Sequence, residues 1–261
     1  MSHQLHPSSR HRGGSPPVMV LYDVPGHTPH AWAPNIWRIR FILNYKKLSY
    51  RTSWVEFQDV EYMLHSINAP PSGKRSDGRP IYSLPVLVDP TRGDPTRPQI
   101  ISNPNKIAEY LESFYPARPV FPEGSRSLQT LFVHYVQEVF SKPLLPIMVP
   151  LSHQQLPEPM QAYFPGAAGA LTGPQREEAW GMVKQQFDFL ATILDKNTGD
   201  NDGDGVVAMG HELSYADFAL CSVLIWIERI AAKDGWSRVR TWNGGRWHRL
   251  YERCREYMDE F

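Results

Sequence analysis

The chain has 261 residues, 41% hydrophobic and 21% charged, which suits one large unit or two modest ones with ample core. Lys plus Arg and Asp plus Glu each total 27, so there is no electrostatic footprint for nucleic acid. No apolar run reaches membrane-spanning length, and the only cysteines, Cys221 and Cys254, exclude a cysteine-only metal site and read as two buried thiols.

Residues 1 to 17 are rich in His, Arg, Ser, Gly and Pro and lack the apolar segment of a signal peptide. They read as a disordered tail in which His3, His6 and His11 are incidental, and a cytoplasmic protein is the default. Val18 to Tyr22 is a short apolar strand. Gly26 to Ala33 is a loop carrying His27 and His30. Asn35 to Tyr45 reads as a helix, with Pro34 suited to its first turn and Ile36, Ile39 and Ile42 or Leu43 as its buried stripe. The Lys46–Lys47 pair after it reads as a solvated face. Aromatic and β-branched residues make Tyr50 to Phe57 a second strand. Val60 to Ser66 reads as a short helix, and PPSGKRSDGRP after it as loop.

The stretch from Ser83 to Pro116 is the most telling. SLPVLVD places Pro85 at the mouth of a strand, Val86 to Val88, where a missing ladder donor is tolerated. A proline there raises the question of a cis bond to Leu84. A surface loop leads to a paired strand at Gln99 to Ile101. In IISNPNKIAEYLESFYP, Ile107, Tyr110, Leu111 and Phe114 then give a helical stripe. The order β-α-β-α-β-β-α implies a mixed sheet with helical cover.

Beyond Arg118–Pro119 the chain reads as almost all helix: Ser125 to Phe140, Pro157 to Phe164, Gly173 to Leu194, Ser214 to Ile230 and Gly245 to Met258. Thr172 is placed to cap the third of these. Ser214-Tyr-Ala-Asp217 is a capping box, and FALCSVLIWI after it is apolar nearly all round, as in the centre of a bundle. Trp247, Leu250, Tyr251, Cys254 and Met258 share one face of the last helix. Asp200-Asn-Asp202-Gly-Asp204-Gly imitates half a calcium loop, but its twelfth position is His211 rather than a bidentate Glu, so it reads as a decorated surface loop.

This organisation resembles the glutathione transferase superfamily: a thioredoxin-like α/β domain over residues 18 to 118, then an all-helical domain over 119 to 261. The markers are SLPVLVD, KIAEYLESFYP and the capping box at Ser214. TPHAWAPNIWRIRFILNYKKLSY is similar to the fungal etherase-like branch, which carries Trp-Ser-Pro-Asn before such a helix. The resemblance implies glutathione docking on the Leu84 backbone beside Pro85, with its γ-glutamyl end at Asn103 and Pro104, where the family has an acidic-Ser pair. It implies a hydrophobic or aromatic co-substrate, and it is the only ground for a homodimer. The sequence departs from the family pattern at Ala33, where the activating hydroxyl falls, and at Asn103–Pro104. Both departures count against glutathione.

Asn35, His30 and Tyr135 are the catalytic candidates. Asn35 is either a donor to sulfur or a first-turn residue satisfying local backbone. His30, with His27, is either a proton carrier or a surface loop residue. Tyr135 either stacks on a ligand or packs in the core, and Trp32 either lines a pocket or anchors the two domains. Three functions stay open: a glutathione transferase-like enzyme on a hydrophobic small molecule, a glutathione-independent cyclase, isomerase or lyase using the same cleft, and a non-catalytic binding protein.

Overall fold

A computed structural model describes residues 17–26, 30–92, 94, 96–156, 161, 169–199 and 203–261. His27, the segment 157–160, residues 162–168 and Asp200 to Asp202 lie outside the described residues, and with them the tail's histidines and the expected helix at 157–164.

A four-stranded sheet carries the first half. β1 (Met19–Asp23) lies between β2 (Tyr50–Trp54) and β3 (Val86–Asp89), and β4 (Gln99–Ser102) closes the edge. β1 and β2 run parallel, with Met19 opposite Tyr50. A parallel pair needs a crossover, and α1 (Pro34–Tyr45) supplies it. β3 runs antiparallel to both neighbours, with Leu87 opposite Leu21 and Ile101. α2 (Val60–Ser66) follows β2. Part of the expected loop after it forms a small ribbon, Gly73–Lys74 against Pro80–Ile81. The Leu84–Pro85 bond is cis, and α3 (Pro104–Phe114) completes the unit.

The expected stripe on α1 is too narrow. Every residue from Ile36 to Leu43 is buried, Arg38 and Arg40 included, because α1 is covered by the sheet on one side and helix on the other. Arg40 meets Asp23 at 2.8 Å with both side chains fully buried. Lys46 is not on a solvated face either: its ammonium is buried 2.7 Å from Glu112 and donates to the Tyr115 carbonyl at 2.9 Å. The α3 stripe shifts correspondingly. Ile107, Ala108, Leu111 and Glu112 are buried, while Phe114 is exposed. The Tyr110 hydroxyl turns to Asp89 at 2.8 Å.

The second half is helical. α4 (Arg126–Tyr135) runs into a π turn, Val136–Phe140. α5 (Leu145–Gln154) has no counterpart in the sequence reading, because Pro143, Pro146 and Pro150 hide it. Pro146 sits in its first turn, where no N–H is needed, and Pro150 lies inside it. α6 (Gly173–Leu194) has Pro174 in its first turn, but the Thr172 side chain makes no cap bond. α7 (Tyr215–Ile230) starts at the capping box and is buried along nearly its whole length. It packs on α1, with Phe218 stacked on Phe41 at 5.3 Å between ring centroids. In α8 (Trp242–Cys254), Asn243, Gly244 and Gly245 all have positive φ, so regular helix begins beyond Gly245. Trp247, Leu250, Tyr251 and Cys254 face inward. Cys221 and Cys254 are buried free thiols. The result is a thioredoxin-like sheet unit followed by a helical unit that carries one two-residue ribbon, Thr198–Gly199 against Gly203–Asp204, with α1 against α7 joining the two.

Candidate functional site

Two loops converge at the start of α1. One carries Trp32 and Ala33, the other Leu84 and Pro85. Between them and α2 lies a cavity of about 310 Å³, lined by Trp32, Ala33, Asn35, Phe57, Tyr82 and Leu84 among others. Gly26 makes room for the Trp32 wall: a Cβ there would stand 2.8 Å from Trp32 Nε1.

The chemistry at the start of α1 follows from its capping. Ala33 is the N-cap and offers no side-chain bond. Its carbonyl accepts from Ile36 N–H at 3.1 Å and Trp37 N–H at 3.0 Å. Pro34 has no N–H. The Asn35 N–H is therefore the open donor of this first turn among the described residues, on a residue that lines the cavity. The Asn35 side chain is oriented by Arg38, which donates to Oδ1 at 2.8 Å. That leaves Nδ2 as an uncommitted donor on an exposed side chain. An open backbone N–H at a helix N-terminus, with an amide donor beside it, suits a developing negative charge.

Leu84 lines the same cavity and lies ahead of the first ladder pairs, Val86 with Tyr22 and Ser102. Its backbone is thus placed as a docking edge outside the sheet. At the far end, Asn103 has φ 77° and caps α3, its Oδ1 accepting from Asn105 N–H at 3.0 Å and Lys106 N–H at 3.4 Å. Its Nδ2 donates to the Ser72 carbonyl at 3.3 Å, and Ser72 Oγ shares a 2.7 Å bond with Ser83 Oγ. Asn103 is thereby tied to the Leu84 loop. Pro104 occupies the first turn of α3 and has no N–H to offer an anion.

His30 and Tyr135 stand apart from this cavity. His30 Nδ1 lies 3.5 Å from Glu260, and the same carboxylate accepts from Ala31 N–H at 2.8 Å. Tyr135 packs among Phe132, Phe140 and Phe189, and burial raises its hydroxyl pKa. Sequence reasoning missed Glu61 and Tyr82, which line the cavity. Their only signal was a place between the second strand and Pro85, in a stretch that reads mostly as loop. Asp204, the described acid of the calcium-like loop, pairs with Arg253 at 2.6 Å. No cluster of metal-ligating side chains occurs among the described residues, and none of their helices is long and apolar enough to cross a membrane.

The model of the glutathione S-transferase C-terminal domain matches residues 127–257. The glutathione S-transferase-like protein ustS of Aspergillus flavus is 25% identical over 92% of this chain and 89% of its own length. Among solved structures, CsGST63524 of Ceriporiopsis subvermispora, crystallised in complex with glutathione, is 32% identical, with a TM-score of 0.82 over 93% of this chain and 98% of that one. GSTFuA3 of Phanerochaete chrysosporium is 31% identical, with a TM-score of 0.80 over 94% of this chain and 98% of its own. With that much of both chains covered at this identity, the chain belongs to the glutathione S-transferase family, alongside members from fungi.

Proposed function

We propose that this protein is a glutathione transferase-like enzyme acting on a hydrophobic small molecule, with glutathione lying from Leu84 towards Asn103. The observation that carries this is the open Asn35 N–H on a residue that lines the same cavity as Leu84. The thiolate, not the thiol, is the nucleophile. A helix-end donor lowers the thiol's pKa in place of the hydroxyl that Ala33 lacks. The thiol releases its proton to solvent, the sulfur attacks an electrophilic carbon of the co-substrate, and the leaving group departs as the C–S bond forms. The glutathione bound by CsGST63524 supports the choice of thiol.

A second reading, catalysis without the thiol, is favoured by one feature. Asn103 Oδ1 is turned to capping and Pro104 has no N–H, so the γ-glutamyl end finds few hooks. Calorimetric titration of glutathione into the folded protein separates the two. Saturable binding at or below millimolar ligand is expected. No heat at millimolar glutathione would sink the transferase reading and leave the second.

A further inference from the structure

Among the described residues four cations have buried side chains: Arg38, Arg40, Lys46 and Arg246. Three of them are paired. Arg40 has Asp23, Lys46 has Glu112 and Arg246 has Asp195. Arg38 is 2% exposed, yet no carboxylate lies within ion-pair distance of it among the described residues. Its protein partners are neutral amide oxygens, Asn35 Oδ1 at 2.8 Å and Asn105 Oδ1 at a long 3.5 Å. The latter already accepts the Tyr215 hydroxyl at 2.7 Å. A guanidinium has five N–H donors, and burying one without a counter-charge is unfavourable. Burial accordingly draws the Arg38 pKa down from its ordinary value.

Arg38 lines a second cavity, of about 240 Å³, between α1, the π turn after α4, and α7. Pro34 and Asn35 belong to the walls of both cavities. The rest of the wall is mixed: Val136, Leu145, Val223 and Trp226 make its apolar part, while Gln137 in the π turn and Ser141 just after it add polar groups. The polar groups on its α7 wall are already engaged. Trp226 Nε1 donates to Ser152 Oγ and the Ser222 hydroxyl donates to the Ala219 carbonyl. Glu138 also lines the cavity but is an exposed side chain that makes no ion pair with Arg38. A cavity with an apolar side formed by Val136, Leu145, Val223 and Trp226, and one buried guanidinium without an ion-pair partner among the described residues, suits a molecule with an apolar body and one anionic head. A planar fork of N–H donors matches a carboxylate in particular.

We infer that this second cavity binds an apolar carboxylic acid, of about single-ring size, with its carboxylate on Arg38. The shared wall at Pro34 and Asn35 puts the acid's apolar body beside the place proposed for the glutathione sulfur. Its role as co-substrate rests on the transferase reading; its binding does not.

The test uses the full chain without glutathione, titrated by calorimetry with trans-cinnamate and with its methyl ester. Cinnamate is expected to bind at least tenfold more tightly than the ester. Arg38→Met should remove that preference. Leu145→Trp changes an exposed wall residue and narrows the cavity without touching Arg38, so it should weaken both ligands while the protein stays folded by circular dichroism. This second variant keeps the test decisive if Arg38→Met does not fold. The inference is overturned if wild type gives no heat with millimolar cinnamate, if the ester binds equally well, if folded Arg38→Met keeps the preference, or if Leu145→Trp binds like wild type. Glutathione is then titrated into cinnamate-saturated protein. Its displacing cinnamate would mean that Arg38 holds a carboxylate of glutathione itself, which also overturns a separate acid site. Glutathione failing to bind with cinnamate still bound defeats the transferase reading alone.

Discussion

Arg38 donates to Asn35 Oδ1 at 2.8 Å, and this single bond decides which end of the Asn35 amide is available to a ligand. With the oxygen held, Nδ2 is the free end. Asn35→Ala should therefore lower kcat for conjugation by about tenfold, less than the loss of a sole anion-stabilising donor, because the backbone N–H stays in place. Asn35→Asp should lose more, since it sets a negative charge beside the thiolate. Both should raise the pKa of the bound thiol, followed through the thiolate absorbance of the binary complex. A variant with unchanged kcat and thiol pKa would show that the Asn35 side chain takes no part.

Ala33 is the N-cap of α1 and lines the cavity. Ala33→Ser puts a hydroxyl where it has none. Serine is also a far better N-cap than alanine, so the helix should gain about 1 kcal/mol or less. A hydroxyl donated to a thiolate is worth about 1.5 kcal/mol, which lowers the bound thiol's pKa by about one. Conjugation at neutral pH should rise several-fold. An unchanged thiol pKa in the folded variant would place the sulfur away from the start of α1.

Asn103 shows why capping and ligand binding compete. Its Oδ1 takes two N–H groups of α3, and its φ of 77° suits asparagine better than most residues. Asn103→Asp keeps the cap, favours the helix end, and restores an acid for the ligand's ammonium. Glutathione Kd should fall several-fold with stability unchanged or slightly raised. Asn103→Ala removes the cap and should lose about 1 kcal/mol or somewhat more in urea unfolding. If Asn103→Asp leaves Kd where it was, the γ-glutamyl group does not reach Asn103.

What the sequence reveals here is whatever local chemistry repeats or punctuates. Pro85 announces its strand, the Ser214–Asp217 box announces α7, and the Ile107–Leu111 spacing announces α3. α5 is invisible because three prolines suggest broken chain, whereas two of them precede or open the helix and tolerate it. Arg38 and Lys46 look like surface charges, because burial depends on what the fold lays over them: α7 for the first and the Glu112 carboxylate for the second. The bond from Ala31 to Glu260 joins residues 229 apart in sequence, a separation at which no spacing rule operates. The fold was therefore largely legible, and of the candidate cavity only the walls at Trp32, Asn35 and Leu84, where a helix start and a strand mouth mark the place.

Asp217 offers a test of the scaffold itself. Its carboxylate is fully buried and accepts from Ser214 N–H at 2.9 Å, Ser214 Oγ at 2.7 Å and Ala208 N–H at 2.7 Å. Burial outweighs these bonds and pushes its pKa up to about 6 from an ordinary 3.8. The folded protein thus keeps this proton at a pH where the unfolded chain has released it. The stabilisation is fully present below the unfolded value and is lost as pH rises through about 6. Asp217→Asn keeps the shape and cannot titrate. Wild type should lose about 3 kcal/mol relative to the variant between roughly pH 4 and pH 7, measured by urea unfolding of both proteins across that range. A gap that stays flat would mean Asp217 titrates as in the unfolded chain. A gap that shifts in favour of wild type as pH rises would mean the three donors hold the carboxylate below its usual range, so that hydrogen bonding rather than burial governs the start of α7.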